Sequence, residues 1–291
     1  MNNSSAFKKK HNLFTGIDSD GCAFDTMELK HKECFCPSFI QFFGLQAISR
    51  YAREAWEFVN LYSVHRGTNR FKAALKTIDF LETHPAVNRL NFQLPDISSL
   101  RDWVKTTDKL GNPALKKSAD DSGDTLLQHA YNWSLDINER INNMVENIPP
   151  FPHVRKALEL LSRHSDCIVL SSANQKALEK EWGEAGINRY VQKIAGQEAG
   201  KKQDIIRETA GDKYKNTSMM IIGDSPGDYR AAVKFEALFY PIIPGKEASS
   251  WDRLYTEGIE KFQEGTFKGA YQEKLINDFY KELPTQPGWL R

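Results

Sequence analysis

Beyond "NIPPFPHV", whose Pro149, Pro150 and Pro152 cannot continue a helix, short apolar runs alternate with amphipathic stretches of helical spacing, and few folds accept that alternation. "CIVLSS" (167–172), "YVQKIAG", "SMMIIGD" and "ALFYPII" read as buried strands. Between them "KALEKEWGEAG", "KQDIIRETAG" and "YRAAVKF" read as helices. Strands joined by helices of this length imply crossover connections and a mostly parallel sheet covered on both faces. One further strand, "LFTGID", stands far upstream, ahead of a long interruption.

That interruption is helical. In "AISRYAREAWEFVNLYS", Ile48, Tyr51, Ala52, Ala55, Phe58, Val59 and Tyr62 recur at spacings of three and four, marking one buried helix face. Phe71, Ala74, Leu75, Ile78 and Leu81 repeat the pattern, as do Leu126, Leu127, Ala130, Trp133, Ile137, Ile141, Met144 and Val145. Ser98 is placed to cap a short helix carrying Leu100, Trp103 and Val104. The polar segment "KLGNPALKKSADDSGDT" (109–125), with its Gly and Pro, is expected to be an exposed loop. The expected plan is therefore α/β: a doubly wound, Rossmann-like parallel sheet core from residues 1–26 and 150–291, with a helical-bundle domain, 27–149, inserted after the first strand.

Composition narrows the functional classes. With 39 basic and 38 acidic side chains among 291 residues, no overall field favours nucleic acid or a membrane surface. No window reaches the roughly 20 apolar residues of a membrane span, and the basic opening "MNNSSAFKKKHN" lacks a secretory apolar core, so a cytoplasmic location is the default expectation. Cys22, Cys34, Cys36 and Cys167 have neither zinc-binding nor redox spacing, and Cys22 and Cys167 beside apolar runs are expected as buried thiols. Oligomeric state is not legible.

In open α/β sheets, ligands bind outside the carboxyl ends of the strands, and here those ends are chemically loaded. The first strand ends in Asp18 and Asp20, the second in Ser171 and Ser172, and the fourth in Gly223, Asp224 and then Asp228. Lys201 and Lys202 open the helix after the third. Carboxylates so gathered repel one another, and a hard divalent cation such as Mg²⁺ removes that cost through oxygen ligands. A carboxylate nucleophile, a metal and fixed positive donors are what phosphoryl transfer requires. Asp18 and Asp20 beside a glycine could alone be a plain turn, but the distant "IIGDSPGD" argues against that. A calcium loop needs an acid at its twelfth position, where Leu29 stands.

These four segments, in order, resemble the four motifs of the haloacid dehalogenase (HAD) superfamily. "DSDG" resembles the first, D-x-D-G, which implies Asp18 as nucleophile and Asp20 as general acid and base. "VLSSANQ" resembles the second, with Ser171 or Ser172 bonding a phosphate oxygen; the register is open by one. "GQEAGKKQDII" resembles the third, with Lys202 in the better register and Lys201 as the alternative. "MMIIGDSPGDYRAA" resembles the fourth, making Asp224 a metal ligand and Asp228 a supporting carboxylate. The implied Mg²⁺ ligands are Asp18, the backbone carbonyl of Asp20, and Asp224. Cys22 stands where Thr or Val is usual. The helical insert lies where the superfamily's C1 cap lies.

Asp20 separates chemistries within the superfamily: an alkoxide leaving group needs a proton, whereas a halide needs neither an acid nor a metal. The resemblance thus implies a Mg²⁺-dependent phosphatase for a small phosphorylated metabolite, acting through an aspartyl phosphate. A phosphomutase and a non-catalytic phosphometabolite-binding protein are the alternatives. In the insert, "VHRGTNRF" places His65, Arg66, Asn69 and Arg70 around a glycine; a solvated helix end explains them, and Arg66, Asn69 and Arg70 are the candidates for substrate contact. "GKEASSW" (245–251) could line the site or pack Trp251 at a helix start.

Overall fold

A computed structural model describes residues 7–290 and divides the chain into two compact units. One comprises Glu28–Glu146 with Leu283–Arg291, the other Met1–Met27 with Asn147–Glu282. The chain therefore passes between units three times.

In the helical unit a π-type segment, Lys30–Phe35, leads into α1 (Cys36–Phe42), followed by α2 (Ser49–Asn60) and α3 (Arg70–Glu82). Then come α4 (Ser98–Thr106), α5 (Asn112–Ser122) and α6 (Thr125–Met144). The periodic apolar positions of α2, α3 and α6 supply one aromatic-rich core in which Trp56 and Trp133 are fully buried. Phe39 lies 4.7 Å from Trp56, and Phe43 meets Trp133 edge-on at 5.3 Å, favourable separations for aromatic pairs. The segment Leu283–Arg291 belongs to this unit: the Trp289 ring lies 4.8 Å from His84 and 6.2 Å from Phe58, and Val64 N donates to the Pro284 carbonyl.

Two local readings change. Residues 112–122, expected as loop, are helical. Pro113 fits the first turn, Leu115 and Ala119 bury one stripe, Lys116 pairs with Asp120 and Lys117 with Asp121, and Gly123 ends the helix at φ +66°. Two buried residues on a polar helix are too thin a stripe to register as periodicity. Ser98 opens α4 without capping it by its side chain; the Asp96 carboxylate accepts the Ser98 N–H at 2.9 Å instead.

The other unit is the α/β core. Strands β1 (Leu13–Ile17), β2 (Ser165–Leu170), β3 (Lys193–Ala195), β4 (Met219–Gly223) and β5 (Leu238–Pro241) form one fully parallel sheet in the order β3-β2-β1-β4-β5. Helices α7 (Val154–Leu161), α8 (Gln175–Glu184), α9 (Lys202–Thr209), α10 (Pro226–Lys234) and α11 (Ala270–Lys281) accompany it. Strand β3 is shorter than "YVQKIAG" suggested, because Asn188–Tyr190 forms a 3-10 turn. The central strand β1 takes the close approach of its neighbours at Gly16, where an added Cβ would meet Leu170 Cδ1 at 2.5 Å. Since β1 pairs with β2 on one side and β4 on the other, the switch point of the sheet lies at its carboxyl end, just before Asp18. The proline-rich return is anchored there too: Phe151 N donates to the Ala23 carbonyl at 2.9 Å.

Candidate active site

Strand β1 delivers Asp18 to the sheet edge, and Asp18 N donates to the Ile222 carbonyl of β4 at 2.9 Å. A tight turn follows in which the Ser19 carbonyl accepts from Cys22 N, Ala23 N and Phe24 N. Gly21, at φ +74°, supplies the left-handed conformation the turn needs. Two tryptophans hold this turn from outside. Trp182 Nε1 donates to Ser19 Oγ at 2.9 Å, and Trp251 Nε1 donates to the Cys22 carbonyl at 2.7 Å. Ser19 Oγ in turn donates to Glu181 Oε2 at 3.2 Å. Both indoles are fully buried, and Trp251 sits in the helix Glu247–Arg253.

The carboxyl ends of β1 and β4 converge on one buried acidic group. Asp18, Asp224 and Asp228 each place a carboxylate oxygen within 4.8 Å of the others. Lys202, the first residue of α9, reaches into it: Nζ lies 2.6 Å from Asp18 Oδ2 and 2.5 Å from Asp228 Oδ1. Its neighbour Lys201 is exposed at the helix N-cap, so of the two lysines the structure brings Lys202 to the carboxylates.

Asp228 is a hub. Its Oδ2 accepts from Ser225 N at 3.1 Å and Ser225 Oγ at 2.7 Å, closing a capping box at the start of α10, while Oδ1 takes Lys202. Both oxygens are thereby engaged, and the positive end of α10 adds to their stabilisation. Gly223 makes this possible, because a Cβ there would overlap the Asp228 side chain. Gly223→Ala is expected to destabilise the α/β unit by about 3 kcal/mol, the upper range for overpacking, as read by denaturant unfolding.

Electrostatics follow from burial. Removal from water, reinforced by the Asp228 and Asp224 charges, holds the Asp18 carboxyl well above its ordinary range despite the opposing Lys202 ammonium. Burial alone would lower the Lys202 pKa, but Asp18 and Asp228 outweigh it and raise it, so the ammonium stays charged. Burial, then the charges of Asp224, Asp18 and Asp228, keep the Cys22 thiol protonated; like Cys34, Cys36 and Cys167 it is buried and free.

Other expected site residues are placed as follows. The Asp20 carboxylate is not in the acidic group; its Oδ1 accepts the buried Thr26 hydroxyl at 2.5 Å. Ser171 is buried directly after β2 and its Oγ accepts Ala173 N at 3.1 Å, whereas Ser172 is exposed. In the helical unit, buried Arg66 donates to the Leu61 carbonyl at 2.9 Å, and Asn69 caps α3 by accepting Phe71 N at 3.0 Å. Arg70 donates to Ser134 and Asn138 and stacks 5.2 Å from Phe35; burial lowers its pKa to about 10. These bonds tie Asn69 and Arg70 into their own unit, and Arg66 makes its Leu61 bond within it.

Sequence reasoning missed Ser19, Glu181, Trp182 and Thr26 as supports of the turn. Nothing in the spacing of Glu181 and Trp182 marks them, since they act across the fold, while Ser19 and Thr26 act within the turn itself.

A divalent cation fits this site by the chemistry of its donors: the group is all oxygen, buried and anionic, the set that hard cations prefer over softer ions. Asp18, Asp224 and Asp228 are the side chains that could hold it.

A five-stranded parallel sheet with this acidic group at its carboxyl edge defines a Rossmann-like α/β core with a candidate site at its switch point. A family model described as haloacid dehalogenase-like hydrolase matches residues 101–240, a span that includes Ser171, Lys202, Asp224 and Asp228. That match spans just under half of the chain. A structure provisionally named a phosphoglycolate phosphatase, from Lactobacillus delbrueckii subsp. bulgaricus, is similar at a TM-score of 0.53 and 13% identity, covering 89% of this chain and 100% of that one. A haloacid dehalogenase-like family hydrolase from Streptococcus pneumoniae is similar at 0.43 and 12% identity, over 82% and 90%. No curated protein sequence matches the chain. Among the described residues no helix is long and apolar enough to cross a membrane.

Proposed function

We propose that the protein is a Mg²⁺-dependent phosphatase that hydrolyses a small phosphorylated metabolite through an aspartyl phosphate on Asp18. The observation that carries this reading is the buried Asp18 carboxylate beside the Lys202 ammonium at 2.6 Å, with Asp224 and Asp228 completing the group. The name of the L. delbrueckii structure supports a phosphatase rather than a dehalogenase. The cation, held by Asp18, Asp224 and the Asp20 carbonyl that the family resemblance implies, would supply charge neutralisation to the transferring phosphoryl oxygens.

The chain's own groups divide the work. An Asp18 carboxylate oxygen attacks phosphorus as the ester P–O bond breaks, and the protonated Asp20 gives its proton to the departing alkoxide. Lys202 donates to phosphoryl oxygens, and the Ser171 hydroxyl can turn from Ala173 N to do the same. Water then attacks the acyl phosphate, Asp20 takes a proton from that water, and the P–O bond to Asp18 breaks to release phosphate. The helical insert is assigned the cap role from its position in the sequence, between the first and second motifs.

The test is phosphate release from a panel of phosphometabolites and an aryl phosphate, with Mg²⁺ and with chelator. Loss of activity on chelation and recovery with added Mg²⁺ is expected; release that persists without metal refutes the metal dependence. Asp20→Asn should slow alkyl phosphates by about 10²- to 10⁴-fold and the aryl phosphate, whose leaving group needs less protonation, much less. Equal losses for both would remove the acid role. Conversion of a sugar phosphate to its isomer without free phosphate would replace the hydrolase by a mutase.

A further inference from the structure

A second cleft opens at the amino ends of β1 and β2, the edge of the sheet opposite Asp18. It is an open surface cleft of about 450 Å³, lined by Lys10, His11, Asn12, Leu13, Arg163, His164 and Gln263, most of them exposed. We propose that this cleft binds a phosphate-type oxyanion at a site separate from the acidic group.

The lining chemistry carries the proposal. Apart from Leu13, every lining side chain is a cation, an imidazole or a carboxamide, and no carboxylate is among them. The whole chain is nearly neutral, so this one-sided lining is local and not a reflection of overall charge. Clefts of this volume suit small ligands, and N–H donors gathered with two cations and no carboxylate favour anions.

The nearest acid is already used. Asp166, fully buried at the start of β2, accepts Lys10 N and His11 N, each at 2.8 Å, and the Tyr214 hydroxyl at 2.7 Å through Oδ2. Its Oδ1 accepts the Gln192 amide. Those bonds fix the backbone of residues 10 and 11 and leave the Lys10 and His11 side chains to the cleft.

Basic groups beyond a helix C-terminus can simply answer the helix dipole, and Arg163, following α7, fits that account; it also pairs with Glu159 at 2.7 Å. Lys10, His11 and Gln263 do not follow that terminus. Among the described residues, the side chains of Lys10, His11, His164 and Gln263 make no hydrogen bond or ion pair. Donors held around an open space and left unused by the fold are what an oxyanion can bridge. Strand β1 is five residues long, which puts the cleft about 16 Å from the carboxyl edge, too far for one small anion to span both sites.

The test is histidine-ring NMR of the full chain titrated with sodium pyrophosphate, without divalent cation and at constant ionic strength. His11 and His164 are assigned by their single Asn variants. No histidine belongs to the acidic group, so these two signals report the cleft and are indifferent to whether the phosphatase reading holds. Both rings should shift on one saturable curve, and Lys10→Ala with Arg163→Ala should weaken the midpoint at least about fivefold. Should that pair of changes lose spectral dispersion, Lys10→Gln replaces it with the same direction expected. Linear drift matched by sodium chloride, or a midpoint indifferent to these variants, overturns the proposal.

Discussion

Asp18→Asn is expected to lower phosphate release by roughly 10⁴-fold or more while the fold persists, because the amide cannot form the acyl phosphate. Steady-state release and a trapped phospho-enzyme assay both check it; a variant that keeps a tenth of wild-type activity would place the nucleophile elsewhere. The same change should alter stability in a pH-dependent way. Burial and the neighbouring Asp228 and Asp224 raise the folded-state pKa of Asp18 above its ordinary 3.8. A raised carboxyl contributes stability that is complete below the ordinary value and is lost as the pH climbs toward the folded value. Wild type without metal should therefore lose stability relative to Asp18→Asn as the pH rises from about 4 toward neutrality, and bound cation should reverse the order. Calorimetric melts with chelator and with Mg²⁺ across that range measure it.

Lys202→Ala should be the most damaging single change to the α/β unit. It leaves Asp18 and Asp228 facing each other with no compensating charge, at side-chain exposures of only 11% and 1%. Breaking a buried pair by removing one partner costs about 3 kcal/mol or more. The raised pKa of Lys202 means its contribution is fully present at neutral pH, so the loss should appear there without any adjustment of conditions. Mg²⁺ should recover part of the melting temperature, since it neutralises the same carboxylates, but little of the activity, since the donor to the phosphoryl oxygens stays missing. A variant as stable as wild type under chelation would show that the three groups do not carry the charges assigned to them.

The strand and helix alternation after Phe151 was legible because buried parallel strands are continuously apolar, as "CIVL" and "MMII" are, and these runs stop at Ser or Gly well short of helix length. The long helices of the insert were legible for the analogous reason, a broad buried stripe. Helix α5 was not, since its two buried positions are outnumbered by paired charges that any solvated loop might carry. At the site, motif spacing led to the carboxylates but could not choose between adjacent residues such as Lys201 and Lys202. That choice depends on which side chain of a helix start faces the sheet edge, a matter of rotation invisible in spacing. Asn69 and Arg70 illustrate the opposite difficulty: polar residues beside a glycine look available for a ligand, yet both make hydrogen bonds within the helical unit. The supports of the turn after β1, Trp182 and Trp251, lie too far along the chain for any local pattern to connect them to it.

The third passage of the chain between units bears on how the protein is made. Trp289, packed against Phe58 and His84, is translated after all five strands, whereas its partners emerge from the ribosome before most of the sheet has been synthesised. The helical unit must therefore wait, with that aromatic face uncovered, through the synthesis of four of the five strands. Vectorial folding of this chain cannot finish the helical unit before starting the sheet: the insert begins ahead of four strands and is closed only after them.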